Sequence, residues 1–315
     1  MTSNKILITG GSGYVGVELI KKLIKNNYKI INIDNNLFGN FFIKNKNVTN
    51  FNLDIKFINK VDISSVNTCI HLASIANDPM ADLDHGLSWE TSALGTKLLL
   101  DHLIKNNVKK IIYASSGSVY GVKKNNLSVT EEEKLEPIST YNKVKMITEK
   151  VLESYKDKIE IIILRPATIC GLSERMRLDL TVNMLTFHSL EKKKIIVYGG
   201  KQKRPNIHID DMIDAYIFFL NKKIKFGIFN VGFENMSIIQ IAKLISKETG
   251  GLVKVKKEIS DPRSYNLNSN KIISIGFKPK KTILNAIREF KYHYENGKFK
   301  DKPNFHSISW LKKKL

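Results

Sequence analysis

Cysteine is scarce in this chain: Cys69 and Cys170 are the two in 315 residues. Neither sits in a CxxC pair or at a Cys/His ligand spacing, so neither a disulfide framework nor a structural zinc site organises the fold, and no metal is expected. No apolar run approaches the roughly eighteen residues of a membrane-crossing helix. The amino terminus enters a strand directly rather than through the apolar core of a signal peptide. A cytoplasmic, reduced protein without a membrane partner is therefore expected. Acidic residues are also few, 30 against 51 basic ones, giving a formal charge of +21. Such an excess ordinarily raises nucleic acid as a partner. Here the lysines are dispersed as doublets such as Lys21-Lys22 and Lys109-Lys110 among Asn and Ile, so no specific nucleic-acid surface is expected and an anionic substrate remains natural.

What is present begins at once. Lys5-Ile6-Leu7-Ile8-Thr9 is a short apolar strand signal running into Gly10-Gly11-Ser12-Gly13-Tyr14-Val15-Gly16, and Val15, Leu19, Ile20, Leu23 and Ile24 follow at helical spacing. Strand, tight turn and helix are predicted. Gly10 would allow the sharp exit from the strand, Gly13 the close approach of a pyrophosphate, and Gly16 the packing of the helix against the sheet, with the helix amino terminus facing the phosphates. A second apolar strand, Lys29 to Ile33, ends at Asp34. A carboxylate there accepts both ribose hydroxyls of an adenosine and repels a 2′-phosphate, which favours NAD over NADP.

Further strand signals at Val48 to Leu53, Thr68 to Ala73, Lys109 to Ser115 and Glu160 to Leu164 alternate with helical ones at Trp89 to Asn107 and Ser139 to Lys156. The alternation predicts parallel βαβ units. Beyond Gly171 it loosens: helix near Leu180 to Leu190, strand Ile195 to Tyr198, loop Gly199 to Arg204, helix Asp210 to Leu220, helix Ser237 to Thr249, strand Leu252 to Lys257 and helix Thr282 to Glu295. The predicted fold is α/β, a Rossmann-like parallel sheet with helices on both faces plus a smaller α/β substrate-binding lobe. Residues 1–171, with 207–232 contributing, form the NAD-binding domain and 172–315 the smaller lobe.

The strongest chemical signal is Tyr141-Asn142-Lys143-Val144-Lys145, preceded by the serine turn Ser115-Ser116-Gly117-Ser118. Tyrosine and lysine four apart share a helix face. A free phenol titrates near 10, too high for a base at neutral pH. An adjacent ammonium and a positive nicotinamide ring would favour the phenolate. Tyr141 could then take a proton from a sugar hydroxyl while Ser116 hydrogen-bonds the same oxygen. His71 and His208 lack a partner at ligand spacing and read as structural.

From the glycine turn through His71-Leu72-Ala73, the serine turn, Tyr141-x-x-x-Lys145 and Leu164-Arg165-Pro166 to Arg263-Ser264-Tyr265, the chain resembles an extended short-chain dehydrogenase/reductase of the nucleotide-sugar epimerase/dehydratase family. The resemblance implies that Tyr14, Val15, Asn35 and Ser115 join the glycines and Asp34 around the cofactor. It also implies that Asp54 and Ile55 flank the adenine, Leu72, Ala73 and Ser74 the cofactor's middle, and Pro166 and Ala167 the nicotinamide, with Lys145 on its ribose. Asn183, Arg204 and Arg263 match substrate positions, the arginines gripping a nucleotide diphosphate, and Ser118 lies beside the sugar. Ser92, Thr168 and Cys170 depart from the family pattern. Members that eliminate water commonly carry an acidic pair where this chain has Gly117-Ser118, which argues against dehydration. The implied activity is NAD-dependent oxidation at C4 of a nucleotide-diphosphate sugar, by a 4-epimerase or 4-dehydrogenase in the supply of surface-polysaccharide sugars, with a 4-keto-sugar reductase or a non-catalytic dinucleotide sensor as alternatives. A homodimer through the helices Trp89 to Asn107 and Ser139 to Lys156 is implied as well.

Overall fold

A computed structural model of the chain describes residues 5–123, 128–256 and 266–315. At its centre is a seven-stranded sheet. Five strands come first in the chain: β1 (Lys5–Thr9), β2 (Lys29–Asp34), β3 (Val48–Asn52), β4 (Thr68–His71) and β5 (Lys110–Ala114). The strands Glu160–Pro166 and Phe226–Val231 complete it, in the order Phe226–Val231, Glu160–Pro166, β5, β4, β1, β2, β3. All six pairings are parallel.

Both faces of the sheet are covered, so its strands read as apolar runs rather than alternating ones. Ile6 and Ile8 of β1 point to the face packed by Leu19, Ile20 and Leu23 of α1 (Tyr14–Lys25) and by Met212, Ile213 and Phe219 of the helix Ile209–Leu220. Leu7 points to the opposite face, against Leu99, Leu100, Leu103 and Leu152. The period-two alternation of side chains across one strand thus feeds two separate cores.

β1 lies between β4 and β2, and the chain winds outward from it in both directions. In such sheets a crevice opens at the carboxyl ends of the strands where the order reverses, and that crevice takes ligands. Over it sits the remaining chain. The strand Lys203–His208 pairs antiparallel with Glu234–Ser237 and parallel with Thr168–Cys170, and Lys194–Tyr198 pairs in parallel with Leu252–Lys256. The helices Thr181–Lys192, Ile238–Thr249 and Ile283–Glu295 close on a third core of Leu185, Ile195, Val197, Ile241, Ile245 and Ile287. Two segments depart from the sequence expectation. Lys203 and Arg204, expected in a loop, begin a strand, because Ser237 and Met236 offer them partners 34 and 32 residues away that local pattern does not reveal. The helix expected over Trp89 to Asn107 is π-type over Trp89–Leu94 and α-helical over Gly95–Lys105.

Candidate active site

A cleft of about 460 Å³ opens at the switch between β1 and β4. Its first wall is the glycine turn. Gly10 has φ +79°, and a Cβ there would lie 2.6 Å from the Ala73 nitrogen; a Cβ on Gly16 would lie 2.4 Å from the Gly10 carbonyl oxygen. The turn can close this tightly only with glycine at both places. No side chain caps the amino terminus of α1 and no acidic residue stands in its first turn. Its N–H groups are left for an anion. Asp34 ends β2 with one carboxylate oxygen accepting from the Ser12 N–H (2.9 Å) and the other from the Asn36 N–H (2.8 Å). Burial pushes its carboxyl above the usual range. Each oxygen keeps acceptor capacity for a hydroxyl. A glycine cradle, uncapped helix donors and an acceptor at the tip of the next strand fit a dinucleotide.

The remaining cofactor positions expected from sequence border the same cleft: Tyr14 and Val15 at the helix start, Asn35, Asp54 and Ile55 beyond β2 and β3, Leu72 to Ser74 after β4, Ser115 after β5, and Pro166 and Ala167 at the end of their strand. Ser116, Ser118, Tyr141, Lys145 and Arg204 face it too. Asn183 does not. It is buried, with its Oδ1 accepting from the Gly171 N–H (3.0 Å) and its Nδ2 donating to the Tyr14 hydroxyl and the Arg177 carbonyl (3.1 Å each). Its amide ties the helix Thr181–Lys192 to the helix that follows the glycine turn. Arg263 lies outside the described residues.

The chemical groups meet on one side of the cleft. Ser116 caps a 3-10 turn, its Oγ accepting from the Ser118 N–H (3.2 Å) and lying 2.8 Å from the Ser118 Oγ. Ser139 caps the helix Thr140–Glu153, which carries Tyr141 and Lys145 one turn apart. The Ser116 hydroxyl and the Tyr141 phenol face the cleft together. Lys145 donates to the Ala114 carbonyl (2.7 Å), with its Nζ 5.9 Å from the centre of the Tyr141 ring. Burial dominates both pKa values. It pushes the phenol up to about 12, with the Ser116 hydroxyl lowering it, Asp78 raising it further and Arg177 lowering it. It pushes Lys145 down to about 7. The expected lowering of the phenol by its lysine is thus outweighed by burial in the chain by itself, with the ammonium held on the Ala114 carbonyl.

Behind the serine turn lies a buried network. Ser115 donates to Glu149, which pairs with Arg165 through Nε (3.0 Å) and Nη2 (2.6 Å), and Arg165 reaches the Tyr120 hydroxyl (2.8 Å). His71 is structural, set between the hydroxyls of Thr9 (2.6 Å) and Thr96 (2.8 Å), and burial holds it neutral with a pKa lowered to about 3. Among the described residues a metal-competent grouping exists at His208, Asp210 and Glu289, none of which lines the cleft. The Lys281 ammonium already bridges its two carboxylates. Sequence reasoning missed Asp78, Arg175, Arg177 and Asp179 on the cleft walls. The Arg-x-Arg-x-Asp run is the one signal that marks three of them.

The model of the NAD dependent epimerase/dehydratase family matches residues 6–232. The chain belongs to that family. It is an enzyme, and NAD is its cofactor. Among relatives, a putative UDP-glucose 4-epimerase of Methanocaldococcus jannaschii is 29% identical over 296 residues, covering 90% of this chain and 96% of the relative. The solved UDP-glucose 4-epimerase of Thermotoga maritima with UDP-glucose superposes with a TM-score of 0.83 at 25% identity, over 92% of this chain and 99% of that one. A UDP-glucuronic acid 4-epimerase from Bacillus cereus, solved with UDP-glucuronic acid and NAD, gives a TM-score of 0.79 at 25% identity, over 93% and 99%.

Proposed function

We propose that this family member is a 4-epimerase of a nucleoside-diphosphate sugar. The observation that carries the reading is the meeting of Ser116, Tyr141 and Lys145 on the wall of one cleft, with Gly117 and Ser118 following the serine. Epimerase names among its relatives support it. The glycine turn, the start of α1 and Asp34 hold NAD, which when bound supplies the acceptor for the C4 hydride and a positive ring that favours the phenolate. Tyr141 Oη takes the C4 hydroxyl proton, and Ser116 Oγ donates to the same oxygen as carbonyl character develops. Lys145 orients the ribose and adds its charge once a ligand bonded to Nζ raises its pKa. Once the ketone has turned, Tyr141 Oη gives its proton back to the C4 oxygen while the hydride that the bound cofactor would return enters C4 from the opposite face, which inverts that centre. Elimination of water needs a further acid and base, and residues 117 and 118 bring no carboxylate to the sugar. Arg204, which lines the cleft from the second lobe, grips the diphosphate. The exposed apolar side chains Trp89, Leu94 and Ile147 on two neighbouring helical segments support a homodimer there, checked by light scattering.

The test is a panel of sugar nucleotides, UDP-hexoses first, followed by mass spectrometry, NMR of the product and absorbance of reduced nicotinamide. An inverted C4 sugar with oxidised cofactor supports the epimerase. One equivalent of NADH per site that persists beside a keto-sugar overturns it in favour of a 4-dehydrogenase.

A further inference from the structure

Arg175 is 3% exposed yet borders the cleft together with Ser12, Gly13 and Asp34. Its guanidinium is stacked over the Phe38 ring, 4.8 Å from the centre. Nη2 donates to the Ser307 hydroxyl (3.1 Å) and Nη1 makes a long bond to the Met176 carbonyl (3.3 Å), while Nε has no partner. Among the described residues no carboxylate stands within ion-pair distance of it. The two nearby candidates are engaged: Asp179 takes Arg177 through two nitrogens (2.6 and 3.3 Å), and Asp34 accepts the Ser12 and Asn36 N–H groups. A buried cation without a counter-ion is costly unless the site exists to receive an anion.

We propose that Arg175 is an anchor for the cofactor's pyrophosphate, reaching from the second lobe across the glycine turn. Its place decides which phosphate it meets. The start of α1 faces the pyrophosphate and Asp34 the adenosine ribose, and Arg175 borders the cleft with both. Burial above all, and the neighbouring Arg177 after it, push its own pKa down to about 9 against the opposing carboxylates of Asp179 and Asp34. A planar fork with an unbonded Nε suits phosphate oxygens. The fork is set in advance by the carboxyl-terminal segment. Ser307 holds it directly, and Asn304 and Trp310 donate to the carbonyls of Phe38 and Leu37 (2.9 and 2.8 Å), fixing the ring on which it stacks. The glycine turn supplies backbone donors on one side of the diphosphate and Arg175 a charge on the other.

The inference rests on the assignment of this cleft to NAD, which titration of the unaltered protein tests by itself. Calorimetric titrations of Arg175→Met and Arg175→Lys with NAD and, separately, with UDP then test the arginine. Arg175→Met is expected to weaken NAD at least about tenfold and to flatten its dependence on salt, leaving UDP affinity unchanged. Arg175→Lys, which keeps the charge and loses the fork, should recover part of the NAD affinity at low salt. Thermal unfolding without added NAD should show Arg175→Met as stable as the parent or more so, since it removes an unpaired buried charge. NAD affinity unchanged in Arg175→Met, or a loss confined to UDP, overturns the proposal.

Discussion

Lys145 and Tyr141 sit where neither charged form is well solvated, and burial drives them in opposite directions, the amine down to about 7 and the phenol up to about 12. For the lysine this has a measurable consequence. Unfolded, it stays protonated up to about pH 10.4; folded, it loses its proton near 7. Between those values the unfolded chain binds more protons, so this residue makes stability rise with pH across that window and penalises the fold fully below it. Lys145→Met is therefore expected to melt higher than the parent at pH 6 without added NAD, with an advantage that shrinks toward pH 10; melting curves of both proteins across that range check it. The phenol carries the chemistry. Tyr141→Phe removes one oxygen, keeps the helix face and the ring, and should lower turnover by at least about 10²-fold with NAD affinity retained. Turnover near that of the parent would remove Tyr141 from the role of base.

At the scale of elements, the serine turn is only as well placed as the strand ends beneath it. Glu149 and Arg165, each 3% exposed, join the helix that carries Tyr141 to the strand beside β5, and Ser115 is bonded to the same carboxylate. Glu149→Gln leaves Arg165 buried without its counter-charge. A cost of about 3–5 kcal/mol is expected for breaking such a pair from one side, and a fall in Tm on the order of 10 °C. A melting temperature within a degree or two of the parent would show that the pair contributes little to holding the turn. The sequence made the scaffold of this region legible because its signals are local: apolar runs, a serine before a helix, tyrosine and lysine one turn apart, glycines at a strand exit, an aspartate at the next strand's tip. What stayed hidden is long-range. Glu234–Ser237 is short and polar and becomes a strand through its partner at Lys203–Asn206. Arg175 looks like any surface arginine until Phe38 and Ser307, distant in sequence, enclose it. Asn183 matched a substrate position, yet its amide faces Tyr14 and Gly171 because the strand Thr168–Cys170 brings Gly171 within reach. The π-type turn at Trp89–Leu94 leaves the expected helix in place but changes its register.

For the whole molecule, the cleft is walled by residues from nearly every part of the chain. Gly13 and Asp34 come from the sheet's first two strand ends, Arg175 and Thr181 from the segment leading into the second lobe, Arg204 from the Lys203–His208 strand and Ile308 from the carboxyl-terminal helix Ser307–Lys312. A ligand that bridges these walls binds only when all of them are folded, so its binding energy belongs to the entire fold. NAD at a hundred times its Kd should stabilise the native chain by about 2.7 kcal/mol. For a chain of this size that is a rise in Tm of roughly 4 °C. The measurement belongs at fixed ionic strength, because a formal charge of +21 makes the compact state gain from screening alone. If the lobes are coupled through the cleft, calorimetry shows one transition and NAD moves all of it. Two transitions, of which NAD moves one, would mean that the cofactor is held by the parallel-sheet lobe alone and that the contacts of Arg175, Ser307 and Trp310 across the cleft do not bind the two lobes into a single cooperative unit.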